Sequence, residues 1–129
     1  MIRIDTHQHF WNYDPVRDAW ITPDMAVIQR DFLPEDLKPL YESAGVSACV
    51  AVQADQSEAE TQFLLGLADR HPFIAGVVGW VDLQAADVAD QLAYFSLHPK
   101  FKGVRHIVQG EQDPQFMLRP AFRQGIAAL

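Results

Sequence analysis

The chain has 129 residues, of which 49% are hydrophobic and 21% are charged, and its formal net charge is -7. This length suits one domain with a real core, and the composition is that of an ordinary globular protein. The negative charge argues against nucleic-acid and anionic-membrane surfaces, because phosphate groups would be repelled. We therefore expect a small-molecule substrate, and neither a nucleic acid nor a membrane as partner.

The cysteine content and the N-terminal residues indicate the cellular compartment of the protein. The single cysteine, Cys49, cannot form an internal disulfide, and the first residues do not resemble a secretion signal. No apolar run approaches the ~20 residues that a membrane-spanning helix requires. We expect a cytoplasmic protein. Cys49 lies among valines and alanines, so a buried apolar role is expected rather than a nucleophilic one.

The predicted elements alternate between strands and helices. A strand over residues 2–6 is followed by an aromatic-rich loop over 10–31, then by a helix over 34–45 that Pro34 begins and Gly45 ends. Later strands are expected over 47–54, 73–81 and 102–108, and later helices over 58–71, 87–98 and 115–129. Ser57 and Glu60 have the spacing of a capping box at the start of the second helix.

This alternation predicts parallel β-α units, which wind right-handed and bring the carboxyl ends of all strands to one mouth. His71 and His98 end helices on the opposite side, where a structural role is favoured. The polar residues expected near the mouth are Gln8, His9, Gln53, Asp55, Trp80, Asp82 and His106.

The strongest local signal is the pair His7 and His9 at the end of the first strand. Residues two apart on a strand share a face, and their Cα atoms lie ~6.6 Å apart, so both rings could reach one metal ion. Arg3 and Asp5 would share that inward face, with Ile2, Ile4 and Thr6 turned outward to the helices. Asp5 could then orient a histidine ring. The alternative is a chance spacing on a solvated loop.

The fourth strand ends in Arg105 and His106, which cannot both face inward on a regular strand. An inward Arg105 would bind a carboxylate or carbonyl oxygen of a substrate, and an inward His106 would suit a ligand or proton-transfer role. A surface arginine beside a half-buried histidine is the alternative. The loop aromatics are expected either to wall a sugar-sized pocket or simply to pack the rim; they are Phe10, Trp11, Tyr13 and Trp20.

Several spaced motifs in order resemble one family. Residues 4–11 read IDTHQHFW, 30–37 read RDFLPEDL, 52–54 read VQA, 103–106 read GVRH and 117–122 read MLRPAF. Together they are similar to the amidohydrolase-related proteins of the fuconolactonase and 2-pyrone-4,6-dicarboxylate lactonase group, within the metal-dependent hydrolases. The resemblance implies a TIM (β/α)8 barrel and hydrolysis of a sugar-acid or related cyclic lactone, with His7 and His9 matching the family's first-strand pair.

The resemblance and the residues together give a set of candidates. Catalysis is expected at His7, His9 and His106, and substrate binding at Arg105, Gln53 and Trp11. His7 and His9 would hold a divalent metal, zinc by preference, if one is bound, although some members of the group resemble metal-independent enzymes.

The chain is shorter than such a barrel, which has about 250 residues. Residues 1–129 are therefore expected to form a partial domain, the N-terminal half with about four β/α units, and the family's later histidine and essential aspartate would lie beyond it. Three alternatives follow: a piece of a lactonase that is inactive alone, a half-barrel that pairs with its own copy to form the site, or a non-catalytic binding module. An open half-barrel is also expected to be poorly soluble.

Overall fold

In the computed structural model, which describes residues 1–129, four parallel strands alternate with four α-helices, as predicted. The strands form one sheet in the order β1-β2-β3-β4, each paired in parallel with the next. The elements are β1 (Ile4–Gln8), α1 (Pro34–Ala44), β2 (Ala48–Val52), α2 (Glu58–Arg70), β3 (Ile74–Gly79), α3 (Val88–Ser96), β4 (Phe101–Val104) and α4 (Pro120–Ala127).

The two predicted boundaries that lie farthest from the observed ones, at the last helix and the fourth strand, were wrong for local reasons. The last helix begins at Pro120 rather than at residue 115, because proline lacks an N–H group and is favoured at the first helical position. A short 3-10 turn, Phe116–Leu118, precedes it. The fourth strand ends at Val104 rather than at residue 108, and the Ile107 N–H is instead bound by the side-chain oxygen of Gln56, 2.7 Å away.

Helix ends largely follow the sequence. Gly45, at φ 67°, adopts the left-handed conformation that ends α1. At the start of α2, the Ser57 hydroxyl accepts a hydrogen bond from the Glu60 N–H at 3.1 Å, as predicted. The Glu60 carboxylate, however, accepts from the Ala54 N–H at 3.0 Å, so it does not complete the reciprocal half of a capping box.

The core lies between one face of the sheet and the helices. Leu64 of α2 and Ile74 and Val77 of β3 are completely buried in it. The opposite face of the sheet carries no helix, and near its edge Ile2 and Ile4 are 78% and 50% exposed. None of the helices has the length and apolar character needed to cross a membrane.

An extra residue in β1 changes which side chains face the helices. Asp5 pairs with Cys49 and Gln8 pairs with Ala51, so three steps along β1 match two along β2. Cys49 and Ala51 are both buried, which places Asp5 and Gln8 on the helix side. A one-residue insertion reverses the alternation of side chains. His7 and His9 therefore face away from the helices, toward the open face of the sheet.

The expected orientation of residues 2–6 was consequently wrong. Arg3 reaches the carbonyl oxygen of Ala44 at the end of α1, and Asp5 contacts Tyr41 of the same helix, so both turn toward the helices. Ile4, on the opposite side, is half exposed. The prediction assumed a regular strand through residue 9, and the bulge between Asp5 and Gln8 removes that assumption.

Candidate active site

A cleft of about 500 Å³ opens at the carboxyl ends of the strands. This is the side of a parallel β-α fold on which active sites form, because the β-to-α loops meet there. Its walls come from the loops that follow β1, β2 and β4, and they consist of His9, Trp11, Arg17, Trp20, Ala54, Asp55, Gln56, Arg105 and Ile107.

The two histidines of β1 converge at this mouth. Their Nε2 atoms are 3.2 Å apart, and their rings meet edge to face with centroids 4.9 Å apart. His9 Nδ1 lies 2.9 Å from the carbonyl oxygen of Val52, which must accept, so Nδ1 carries the proton and Nε2 a free lone pair. Burial lowers the pKa of His9, and the nearby Arg105 and His7 add to the effect. His9 is therefore a neutral imidazole at neutral pH.

The geometry of the pair fits two ligands of one metal ion. Two nitrogens bound to a tetrahedral zinc at 2.0–2.1 Å lie roughly 3.3 Å apart, close to the separation seen here. The Nδ1 bond to Val52 also fixes the ring of His9 as the outer partners of metal ligands do. No group of three or more His, Cys, Asp or Glu side chains in the structure is placed to hold a metal, so the pair has no third such ligand beside it.

Arg105 follows β4, at the opposite edge of the sheet from β1, and its side chain reaches the histidine pair. Its Nη1 lies 3.5 Å from His7 Nε2, and its Nη2 donates to the carbonyl oxygen of Gln53 at 2.6 Å. The outer strands of a four-stranded sheet lie ~14 Å apart along the hydrogen-bonding direction. Despite this separation of the backbones, the side chains of His7 and Arg105, from the two outer strands, meet in one mouth.

Gln53, expected to bind substrate, is 0% exposed and cannot contact a ligand in this conformation. Its side-chain Nε2 donates to the backbone oxygen of Arg105 at 3.1 Å, while its own backbone oxygen accepts from the guanidinium. These two reciprocal hydrogen bonds fix Arg105 in place. The structure thus makes Gln53 a support for the arginine.

The structure does not bring His106 to the histidine pair. Arg105 and His106 are consecutive, and because Arg105 turns into the mouth, His106 turns toward the last helical segment. Its ring stacks on Phe116 with centroids 4.8 Å apart, and its Nε2 lies 2.6 Å from the Glu111 carboxylate. Of the two alternatives on this strand, Arg105 is the one that lines the cleft together with His9.

The rim loop after β1 supplies the aromatic wall. Trp11 and Trp20 line the cleft, and Trp11 is held by paired backbone hydrogen bonds of 3.0 Å to Phe32. Phe10 is instead buried in the core, and Tyr13 does not line the cleft. Trp11 therefore lies at the cleft, and its role in substrate binding stays a prediction.

Arg17 is a cleft residue that the sequence analysis missed. Its guanidinium forms an ion pair with Asp18 at 2.7 Å and lies at the cleft wall. The rim loop has no clean periodicity, so the only sequence signal for Arg17 was a cation among the aromatic residues of the loop. Gln56 and Ile107 were also missed, and they join the loops after β2 and β4 through a 2.7 Å hydrogen bond.

The remaining histidines and the cysteine lie away from the mouth. His71 Nε2 lies 3.3 Å from the Glu35 carboxylate, and His98 Nε2 lies 2.9 Å from Asp69. Cys49 is fully buried, and burial raises its pKa to about 11, so it remains a protonated thiol. These contacts are those of structural residues.

The structure thus combines parallel β-α units with a polar mouth, at which a histidine pair from the end of β1 meets an arginine that follows β4. The sequence profile described as Amidohydrolase matches residues 4–129, and the chain belongs to this family.

Two curated relatives match nearly the whole chain. The chain is 39% identical over 127 residues to an L-fucono-1,5-lactonase of Burkholderia ambifaria, covering 98% of this chain and 44% of that protein. It is 43% identical over 129 residues to an L-fucono-1,5-lactonase of Burkholderia multivorans, covering 99% and 43%. The chain thus spans less than half the length of the relatives it matches.

Solved structures agree with the fold. A Burkholderia multivorans amidohydrolase crystallised with bound zinc superposes with a TM-score of 0.93 at 42% identity, over 98% of this chain and 45% of that one. A probable 2-pyrone-4,6-dicarboxylic acid hydrolase of Acinetobacter baumannii, with citric acid bound, gives a TM-score of 0.75 at 17% identity, over 99% and 45%. The four β/α units are the N-terminal half of a TIM barrel, as the resemblance implied.

Proposed function

We propose that the complete protein hydrolyses a sugar-acid or related cyclic lactone, of the type that L-fucono-1,5-lactone represents. The observation that carries this proposal is the convergence of His7, His9 and Arg105 at one mouth, in a chain 39% and 43% identical to two enzymes named for that reaction. The nearby aromatic wall suits a small cyclic substrate better than a polymer.

Lactone hydrolysis needs a polarised carbonyl and a water molecule that loses a proton. We assign Arg105 to the carbonyl or carboxylate oxygens of the substrate, because its guanidinium is held at the cleft by Gln53. Trp11 would pack against the ring of the substrate. His7 and His9 would either polarise the carbonyl directly or hold a divalent metal.

The histidine pair fits a zinc ion in donor type and in nitrogen separation. His7 and His9 would hold it through their Nε2 atoms, and when bound it would act as a Lewis acid on the carbonyl. In either case, the lowered pKa of His9 keeps its ring neutral and its lone pair available.

Catalytic zinc sites normally have three protein ligands and a water, and this chain offers two. We infer that the third ligand and the carboxylate base come from later strands, as the resemblance implies. A cytoplasmic location and homo-oligomerisation remain predictions. The proposal gives His106 no direct part in the chemistry, since its ring is stacked on Phe116.

The test is hydrolysis of L-fucono-1,5-lactone and other sugar lactones by the complete protein, followed with a pH indicator with and without added Zn²⁺. His7→Asn, His9→Asn and Arg105→Met are each expected to lower kcat/KM by ~10²- to 10³-fold, the cost of removing a group that stabilises the transition state. His98→Asn is the control, because His98 lies on the side away from the mouth. His106→Asn is expected to change kcat/KM less than tenfold.

The outcomes of this test distinguish the three alternatives for the 129-residue chain: a piece of a lactonase, a self-associating half-barrel and a binding module. Turnover by the complete protein but not by residues 1–129 supports the first reading, a piece of a lactonase. Turnover by a discrete dimer of residues 1–129 would support a self-assembled site instead. Lactone binding with no turnover by the complete protein under either metal condition would contradict the proposed function and favour a binding module.

A further inference from the structure

The bulge in β1 decides where both histidines point. On a regular strand, His7 would share the side of Asp5 and face the helices. The extra residue between the Asp5–Cys49 and Gln8–Ala51 pairs reverses this alternation just before His7 and His9 reach the mouth. Whatever stabilises the bulge therefore also orients the histidine pair.

Asp5 binds the backbone inside this bulge. Its Oδ1 accepts a hydrogen bond from the His7 N–H at 3.0 Å, a contact between residues two apart that an aspartate makes in a turn. A bulge leaves its extra residue unpaired with the neighbouring strand, so an N–H group there is free to bond elsewhere. Asp5 supplies the partner of the His7 N–H. Asp5 was expected to orient a histidine ring, but its Oδ1 instead binds the backbone N–H of His7.

Tyr41 of α1 holds the second oxygen of Asp5. The Tyr41 hydroxyl donates to Oδ2 at 2.7 Å, from a buried ring that packs edge to face on Phe73. Burial is the main cause that raises the pKa of Tyr41, so its hydroxyl stays protonated and remains a donor. The carboxylate is thus fixed between a helix and the bulge.

We infer that Tyr41 and Asp5 are positioning residues that stabilise the β1 bulge and so turn His7 and His9 into the mouth. The functional importance of this contact rests on the proposed function, since it matters for chemistry only if the histidine pair acts there. The structural claim stands on the register shift, the two hydrogen bonds and the burial of Tyr41.

The first measurement is NMR of the imidazole nitrogens in the metal-free complete protein. In the wild type, His9 is expected to show a single tautomer with the proton on Nδ1, and His7 a ring contact with His9. Asp5→Ala is expected to abolish the ring contact and give averaged tautomers. Asp5→Asn should partly restore both, because its amide oxygen can still accept from the His7 N–H.

Tyr41→Phe keeps the buried ring and removes only the hydroxyl, so it remains informative if Asp5→Ala does not fold. It is expected to weaken the ring contact, whereas Tyr94→Phe, the matched control on an exposed tyrosine, should leave it unchanged. Wild-type tautomers and ring contact in a folded Asp5→Ala or Tyr41→Phe variant would overturn the inference.

A second readout uses Zn²⁺ alone, titrated calorimetrically into the complete protein. Loss of an outer partner typically weakens metal binding 10- to 100-fold, so we expect about that loss for Asp5→Ala and a smaller one for Tyr41→Phe. Unchanged Zn²⁺ affinity in both variants would contradict the inference. If the wild type hydrolyses no lactone but the imidazole signals still respond to Asp5→Ala, the proposed function fails and the positioning role stands.

Discussion

At the scale of single residues, burial and hydrogen bonding have opposite effects on two acidic groups beneath the cleft. Burial raises the pKa of Glu60, which is 6% exposed and lies in the first turn of α2. The Arg17 side chain is the largest cause that lowers the pKa of Asp18. The folded protein therefore disfavours one carboxylate charge and favours the other, and the two should respond to pH in opposite directions.

Glu60→Gln is expected to increase the free energy of unfolding at pH 7 by on the order of 1 kcal/mol. The folded pKa of Glu60 is raised, so its contribution to stability is present below the unfolded pKa and is lost as pH rises through the folded value. Glutamine keeps an acceptor for the Ala54 N–H without the buried charge. Urea unfolding at pH 7 and at pH 4 measures the difference, which should vanish at the lower pH. Glu58→Gln, on the exposed side of the same turn, should change little.

Asp18→Asn is expected to have the opposite effect. The folded pKa of Asp18 is lowered, so its contribution is present above the unfolded pKa and is lost as pH falls through the folded value. The Asp18 carboxylate accepts from the Arg17 side chain at 2.7 and 2.9 Å, and the variant should lose about 2 kcal/mol at pH 7. Urea unfolding at pH 7 and at decreasing pH checks it, and a loss that does not shrink as pH falls below the unfolded pKa of Asp18 would show that charge is not the cause.

At the scale of elements, close packing decides where glycine is required. A Cβ atom at Gly125 of α4 would lie 1.9 Å from the backbone oxygen of Leu83, whereas at Gly66 of α2 its nearest neighbour is the end of the Arg70 side chain, 3.6 Å away. Both glycines are inside helices, where alanine is intrinsically preferred. The two positions therefore separate helix propensity from packing.

Gly66→Ala should raise the free energy of unfolding by up to ~1 kcal/mol, because alanine loses less backbone entropy in a helix. Gly125→Ala should lower it by ~1–3 kcal/mol, since Leu83 or α4 must move to admit the methyl group. Thermal unfolding of the two variants side by side measures both effects. Equal melting temperatures would mean that α4 is not docked on residue 83 in solution.

Elements with local signals could be predicted from the sequence. Pro34, Gly45 and Ser57 marked helix ends correctly, because proline, glycine and serine act through their own backbone or side chain. The bulge in β1 could not be predicted, because it is a property of pairing between β1 and β2. The orientation of Arg3 and Asp5 failed for that reason.

In the candidate site too, features with a local sequence signal could be predicted, and features that depend on distant contacts could not. His7, His9 and Trp11 lie at the mouth as predicted, and the structure chooses Arg105 over His106 by the direction of one side chain. The burial of Gln53 depends on contacts with a residue 52 positions away, which no local pattern reveals. The meeting of the strand ends at one mouth was predictable, whereas the packing of side chains behind it was not.

At the scale of the whole molecule, the sheet has one covered face and one face without helices. Ile2 and Ile4 lie exposed near the edge formed by β1, and Leu97 and Tyr94 are exposed on α3. An uncovered sheet with free edges tends to associate with other chains. The sequence-based prediction of poor solubility is consistent with this surface and still requires a measurement.

Ile4→Lys is therefore expected to reduce self-association of the 129-residue chain without lowering its melting temperature, since Ile4 is half exposed. Sedimentation velocity over a range of concentrations measures the association. Leu97→Lys, a change of the same kind on the exposed surface of α3, is the control and should have a smaller effect. If the two variants associate equally, the open face of the sheet is not the surface through which the chains associate.

The contact between His7 and Arg105 joins residues 98 positions apart in the chain. Forming such a contact requires closure of a long loop, and folding rates fall as contacts become more distant in sequence. The histidine pair can form as soon as β1 and β2 associate, but its guanidinium neighbour arrives only when β4 docks. During refolding, the imidazole signals of His7 should therefore change in two kinetic steps, the slower one coinciding with protection of the β4 amides.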